Sequence, residues 1–180
     1  MKLLLHTCCA PCLIYPLKIL TDNDFEVTGL FYNPNIHPLG EYTNRKQAVA
    51  AFGKIAKLEV IFPEYNPTEF FQAVNLKEGS PGRCSICWSL RLKKTAQVAK
   101  ERDFAYFSTT LLVSPYQDNN FIGRIGHDVA KQEGANFYYD DFRPGFRKAH
   151  DEARAQGIYC QKYCGCIYSE IERCKQSAKH

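Results

Sequence analysis

The sequence predicts a single α/β domain built on a mostly parallel sheet. Short apolar runs alternate with amphipathic stretches of helical period along the chain, the pattern of strands joined by crossover helices. The 180 residues suffice for one hydrophobic core, and no repeat, low-complexity tract or linker divides them.

Five segments read as strands: Lys2–His6, Glu26–Tyr32, Leu58–Phe62, Phe104–Ser108 and Asn136–Tyr139. The first and third are short apolar runs, and their placement rests on the turn residues that flank them. Leu13, Leu17 and Leu20 form a helical stripe after the first strand, with Pro16 expected in its first turn, where a missing N–H is tolerated. Glu41–Lys57 places Ala48, Val49, Phe52, Ile55 and Ala56 at helical spacing. Cys87–Arg102 repeats the pattern with Trp88, Leu92, Ala96 and Ala99, and Arg91, Lys93 and Lys94 are expected to project elsewhere. Tyr116–Gln132 and Pro144–Ala155 complete the long helices, Pro144 suiting the first helical position. A short charged helix is expected after Cys166. Loops rich in Asn, Pro and Gly follow the second strand at Asn33–Pro38, precede Cys84 at Gly79–Gly82 and follow the fourth strand at Ser114-Pro115. In an open parallel sheet, such strand ends form the ligand crevice.

Nine cysteines dominate the chemistry. Cys8, Cys9 and Cys12 stand together after the first strand, Cys84 and Cys87 form a CxxC beside a helix start, and Cys164 and Cys166 flank one glycine. Cys160 and Cys174 read as bystanders. A chain of this length needs no disulfide staples, no cleavable leader follows Met1–Leu5, and no run approaches the ~18 apolar residues of a membrane span. A reducing cytoplasmic setting is therefore expected, in which clustered cysteines read as metal-binding or catalytic. Cys8 and Cys9 sit where helix N-terminal N–H groups would stabilise thiolates. Together with Cys84 and Cys87 they offer four ligands, enough for an iron–sulfur cluster or a Cys₄ zinc site, while three buried cysteines filling a tight turn is the plainer alternative. Cys164 and Cys166 read either as a strained, labile redox pair or as two free thiols.

The net charge of +4 is unevenly spread. Residues 1–82 carry seven Lys/Arg against eight Asp/Glu, whereas 83–102 carry six against one. Arg143, Arg147 and Lys148 add a second basic group. A solvated helix face accounts for such charge, and so does a surface that draws in a polyanion such as RNA. Neither G-x-x-x-x-G-K-[ST] nor G-x-G-x-x-G occurs, so no phosphate loop or dinucleotide fingerprint is present.

Five motifs in order, His6-Thr7-Cys8-Cys9-Ala10-Pro11-Cys12, Phe31–Pro38, Cys84-Ser85-Ile86-Cys87, Ser108–Tyr116 and Cys164-Gly165-Cys166, span nearly the whole chain. They closely resemble the cobalamin-independent epoxyqueuosine reductases of the QueH type. The resemblance implies removal of the epoxide oxygen of epoxyqueuosine in tRNA, on a three-layer α/β sandwich related to adenine-nucleotide alpha-hydrolase-like folds. It further implies a [4Fe–4S] cluster on Cys8, Cys9, Cys84 and Cys87, and a redox-active pair in Cys164 and Cys166. Cys12 and Asp141 are secondary metal candidates, should a mononuclear iron sit beside the cluster. The tRNA would rest on Arg91, Lys93, Lys94 and Arg147, and an electron donor of unspecified identity would complete the cycle. An ATP-dependent tRNA sulfur-transfer enzyme and a zinc-stabilised RNA-binding module are the alternatives.

Overall fold

The computed structural model describes residues 1–177, with side chains as far as Lys175. Four parallel strands form its sheet: β1 (Lys2–His6), β2 (Glu26–Leu30), β3 (Val60–Ile61) and β4 (Tyr106–Thr109), in the spatial order β3-β2-β1-β4. In register, Lys2 lies opposite Glu26 and Leu3 opposite Tyr106. Leu3, Leu4 and Leu5 are fully buried, because a central parallel strand is covered on both faces and reads as a continuous apolar run.

Helices α1 (Ala10–Asp22), α2 (Leu39–Ile55), α3 (Pro67–Val74), α4 (Gly82–Glu101), α5 (Asn119–Glu133), α6 (Phe146–Ala155) and α7 (Ile167–Ser177) flank the sheet. α4 packs on β1 and β4 and against α5, while α1 packs on β2 and against α2 and α6, completing the sandwich. No helix among the described residues is long and apolar enough to cross a membrane.

Several expected boundaries shift for local reasons. The anticipated fifth strand shrinks to one bridge, Phe137 opposite Phe107, with the N–H of Tyr138 donating to Phe107 O at 2.8 Å. Pairing stops there as Asp141 turns the chain by accepting from the backbone N–H of Arg143 at 3.1 Å. β3 is held to two residues between the left-handed Lys57 (φ 53°) and Pro63, which has no N–H for a ladder. Pro16 lies in the interior of α1 rather than in its first turn, which releases the Cys12 carbonyl from the helical ladder. Pro144 falls in a 3-10 turn over Arg143–Gly145, one turn ahead of α6. The chain also contains a helix beyond those expected, α3. Asn66 caps it by accepting from the Thr68 N–H at 3.1 Å, Pro67 opens it, and Phe70 and Val74 bury one face.

The strand order reverses between β1 and β4, so the crevice of this sheet opens at their carboxyl ends. The chain leaves β1 directly into Thr7-Cys8-Cys9 and leaves β4 into a 3-10 turn over Thr110–Val113.

Candidate active site

Cys8, Cys9 and Cys12 are buried, and their sulfurs lie within 4.8 Å of one another. Local geometry brings them together. Cys9 is the N-cap of α1 and accepts from the Cys12 N–H at 3.4 Å, and the first turn of the helix swings Cys12 back over the cap. Thr110, across the crevice, ties Cys8 twice: its hydroxyl accepts from the Cys8 N–H at 3.1 Å and donates to the Cys8 sulfur at 3.3 Å. The Gln161 amide donates to the Cys9 sulfur at 2.9 Å. Hydrogen bonds from Cys12, Cys9 and Thr110 hold the Cys8 thiol well below its ordinary value. Burial pushes Cys9 up, and the neighbouring Cys8 sulfur pushes Cys12 up. The group therefore holds one thiolate-prone sulfur and two that retain their protons.

His6 supports this group from behind. It is fully buried, and burial, aided by the positive charge of Arg91, lowers it to about 4. Its Nε2 lies 3.2 Å from the Tyr32 carbonyl and its Nδ1 2.9 Å from the Thr109 hydroxyl. A carbonyl only accepts, so Nε2 carries the proton and Nδ1 accepts from Thr109. The ring is a neutral brace joining the ends of β1 and β4 to the loop after β2.

Cys84 and Cys87 lie in the first two turns of α4. Cys87 shares a small apolar cluster with Phe70, Val74 and Cys166, and burial pushes its thiol up to about 11. The nine cysteines are all free thiols. Cys164 is exposed and Cys166 buried, with their sulfurs 3.9 Å apart. The Cys166 thiol stabilises Cys164 as thiolate by hydrogen bonding, bringing it to about 5, and Cys166 is pushed up in return.

Arg45 holds the loop that carries this pair. Its guanidinium is 1% exposed and spans Glu41 Oε1 at 2.7 Å, the Tyr163 carbonyl at 2.9 Å and the Cys164 carbonyl at 3.1 Å. Gly165 passes so close to the Asn-Pro loop, at φ +125°, that a Cβ would lie 2.9 Å from Ile36. Its carbonyl accepts from the His37 N–H at 2.8 Å.

A cavity of about 410 Å³ joins these parts, lined by Cys8 and Cys12 on one side and by Tyr163, Cys164 and Ser169 on another. Arg45 and Arg91 supply positive charge in its wall. Cys9, Cys84, Cys87 and Cys166 do not line this cavity, and Cys84 and Cys87 do not join the convergent group of three sulfurs. Asp141 stands apart from both: its carboxylate pairs with Arg143 at 2.6 and 2.7 Å, which lowers its pKa.

Arg91 corrects the expectation that it projects away from the packed face of its helix. It is 4% exposed, lies on the same helical face as Trp88 and Leu92, and donates to the Cys87 carbonyl at 3.2 Å. Lys93 is exposed and reaches Glu133 at 3.7 Å, Lys94 is half-buried on α4, and Arg147 is exposed on α6 beside the cavity-lining Phe146. Arg45, Thr110 and Gln161 were not singled out from the sequence. Only Arg45 left a usable trace there, its four-residue spacing from Glu41 on a helix.

A family model described as epoxyqueuosine reductase QueH matches residues 3–172. Proteins named epoxyqueuosine reductase QueH from Dehalococcoides mccartyi and Thermotoga maritima are each 38% identical, over 96% and 98% of this chain and 94% of their own lengths. The Haemophilus influenzae protein of that name is 35% identical over 93% of this chain and 71% of its own. Among solved structures, the U34-tRNA thiolase NcsA from Methanococcus maripaludis, determined with its [4Fe–4S] cluster, superposes with a TM-score of 0.62 at 16% identity, covering 94% of this chain and 61% of NcsA. A predicted tRNA methyltransferase subunit from Methanocaldococcus jannaschii gives 0.58 at 9% identity, covering 86% and 74%. These two likenesses establish the fold, a parallel sandwich of the adenine-nucleotide alpha-hydrolase-like type. With its cysteine motifs gathered around one crevice and its sequence matched from Leu3 to Glu172, the chain belongs to the QueH family of epoxyqueuosine reductases.

Proposed function

We infer that this chain is an oxidoreductase that reduces epoxyqueuosine in tRNA to queuosine. The observation that carries the reading is one cavity lined by Cys8 and Cys12 and also by Cys164. Sulfur-transfer and zinc-module readings are not favoured, since the relatives that match along the chain are named as reductases.

Three buried sulfurs within 4.8 Å, one of them thiolate-prone, suit soft-metal ligation. In this reading Cys8, Cys9, Cys84 and Cys87 hold a [4Fe–4S] cluster, with Cys12 as a further candidate. Such a cluster supplies one-electron transfer and Lewis-acid polarisation of oxygen when bound. Asp141, already taken up by Arg143, gives no support to a mononuclear iron at that position.

Loss of the epoxide oxygen consumes two electrons and two protons and yields an alkene and water. Cys164 and Cys166 balance that demand with one proton from solvent: a thiolate and a thiol close to one disulfide and release two electrons and one proton, and water in the open cavity supplies the second proton. The thiolate-prone Cys164 faces the cavity and Cys166 keeps a proton behind it. Arg91 offers its charge to an oxygen that becomes negative in the cavity. An external reductant then reopens the pair.

The test is anaerobic purification, a count of iron and sulfide, and an assay on epoxyqueuosine tRNA with Cys164→Ser alongside. Iron and sulfide near four each, with reduction by the wild type and none by the variant at unchanged cluster absorbance, supports the reading. Zinc without sulfide, or no reduction by cluster-loaded protein, overturns it.

A further inference from the structure

The cavity has a second wall that the cysteines leave unused. Tyr116 stands at its edge with 86% of its surface exposed, delivered there by the Ser114-Pro115 loop beyond β4. Its ring meets Phe146 edge-on, centroids 5.7 Å apart, and Phe146 lies against His150 at 4.3 Å. Phe146 and His150 are four residues apart on α6 and so share the face that lines the cavity. A large ring this exposed, beside two more at the mouth of a cavity, is the form of a platform for a flat partner.

Polar groups next to the platform lack partners of their own. Gln117 lines the same cavity, and its Oε1 is buried with no hydrogen bond. The Nε2 of His150 is buried and unpaired as well. Buried groups of this kind are ordinarily satisfied, and an occupant of the cavity with N–H donors on its edge would satisfy Gln117. The cavity volume, about 410 Å³, falls in the range of small-ligand sites.

Resting on the reductase reading, we propose that Tyr116, buttressed edge-on by Phe146, forms the stacking platform for the substrate's 7-deazaguanine ring, and that Gln117 Oε1 accepts from its N–H edge. A base extruded from its strand offers one face for stacking and a Watson–Crick edge with N1–H and a 2-amino group as donors. The platform holds the ring while its side arm, which bears the epoxide, extends toward Cys8 and Cys164. Tyr116 and Gln117 are positioning residues, distinct from the thiols that supply electrons.

Equilibrium binding of tRNA carrying epoxyqueuosine, measured across a salt series, tests this. Tyr116→Ala is expected to weaken binding roughly tenfold with the slope of log K against log salt unchanged, because stacking releases no counterions. Tyr116→Phe should retain wild-type affinity, and Gln117→Met, similar in length without the acceptor, should weaken binding by about fivefold. Unchanged affinity in Tyr116→Ala, a shallower salt slope, or a loss that phenylalanine fails to restore would overturn the platform. A wild type that does not bind this tRNA overturns it too. A wild type that binds but does not reduce the tRNA defeats the reductase reading alone, and the same binding comparison still decides the platform.

Discussion

Charge within the Cys164 and Cys166 pair is divided by their separation. At 3.9 Å the two sulfurs share a hydrogen bond, so the negative charge settles on Cys164 and the proton on Cys166. The folded Cys164 thiol, near 5, lies below the ~8.5 of a free thiol, so its thiolate persists as pH falls and is lost only near the lower value. Alkylation of Cys164 by iodoacetamide, followed by peptide mass spectrometry, should therefore change by less than about twofold from pH 8 to pH 6 and decline steeply below about 5. A rate that climbs steadily toward pH 9 would show an ordinary thiol. Arg45 acts at the same scale. Truncating it to alanine leaves Glu41 buried without its ion pair and two carbonyls without a donor, a loss of about 3–5 kcal/mol in urea unfolding. Lysine should not restore it, because one ammonium cannot span the three acceptors that the planar guanidinium reaches.

At the scale of elements, the loop around Gly165 depends on an approach that no side chain permits. Gly165→Ala asks an L-residue to adopt φ +125° and sets its Cβ 2.9 Å from Ile36 and 3.3 Å from the Arg45 guanidinium. The strain, about 1–3 kcal/mol, is relieved by moving the loop. On the proposed chemistry, turnover should drop at least tenfold, with slower oxidation of the Cys164 and Cys166 thiols, while the iron content of the purified protein stays at the wild-type level. Turnover equal to wild type would show that the loop's position does not matter. The helices follow the same logic of local cause. Asp118 caps α5 by accepting from the Phe121 N–H at 2.9 Å, and Gly134 closes it at φ 68°. The expected start at Tyr116 lies outside that cap, which leaves Tyr116 in the loop at the cavity edge.

For the whole molecule, the arrangement of basic residues separates the cavity wall from the outer surface. Arg91 is sealed into the wall, whereas Arg147 is exposed on the helix whose Phe146 and His150 line the cavity. Arg147→Ala should weaken tRNA binding and reduce the salt slope by about one. Lys93→Ala should leave the slope near wild type, since that lysine reaches Glu133 on α5 instead. An equal change in the two variants would place the tRNA across α4.

Much of this protein is determined by sequence alone. The order of strands and helices was legible because apolar periodicity is a local property, and the Cys8, Cys9, Cys12 group because a cap and one helical turn suffice to join its sulfurs. Asn66-Pro67 is a local cap signal for α3, too short a motif to mark an eight-residue helix by periodicity. Arg91 shows where inference along one helix stops: it is buried on the face of Trp88 and Leu92 although the sequence reading turns it outward, because a cation there makes sense only with a cavity in view. Tertiary structure alone decided that Cys164 shares a cavity with Cys8 and Cys12, that Asp141 stays outside, and that Arg45 clamps the Tyr163 and Cys164 carbonyls. Contacts between residues more than a hundred positions apart depend on how the sheet orders its strands and which loops those strands bring together, and no periodicity in the chain encodes that distance.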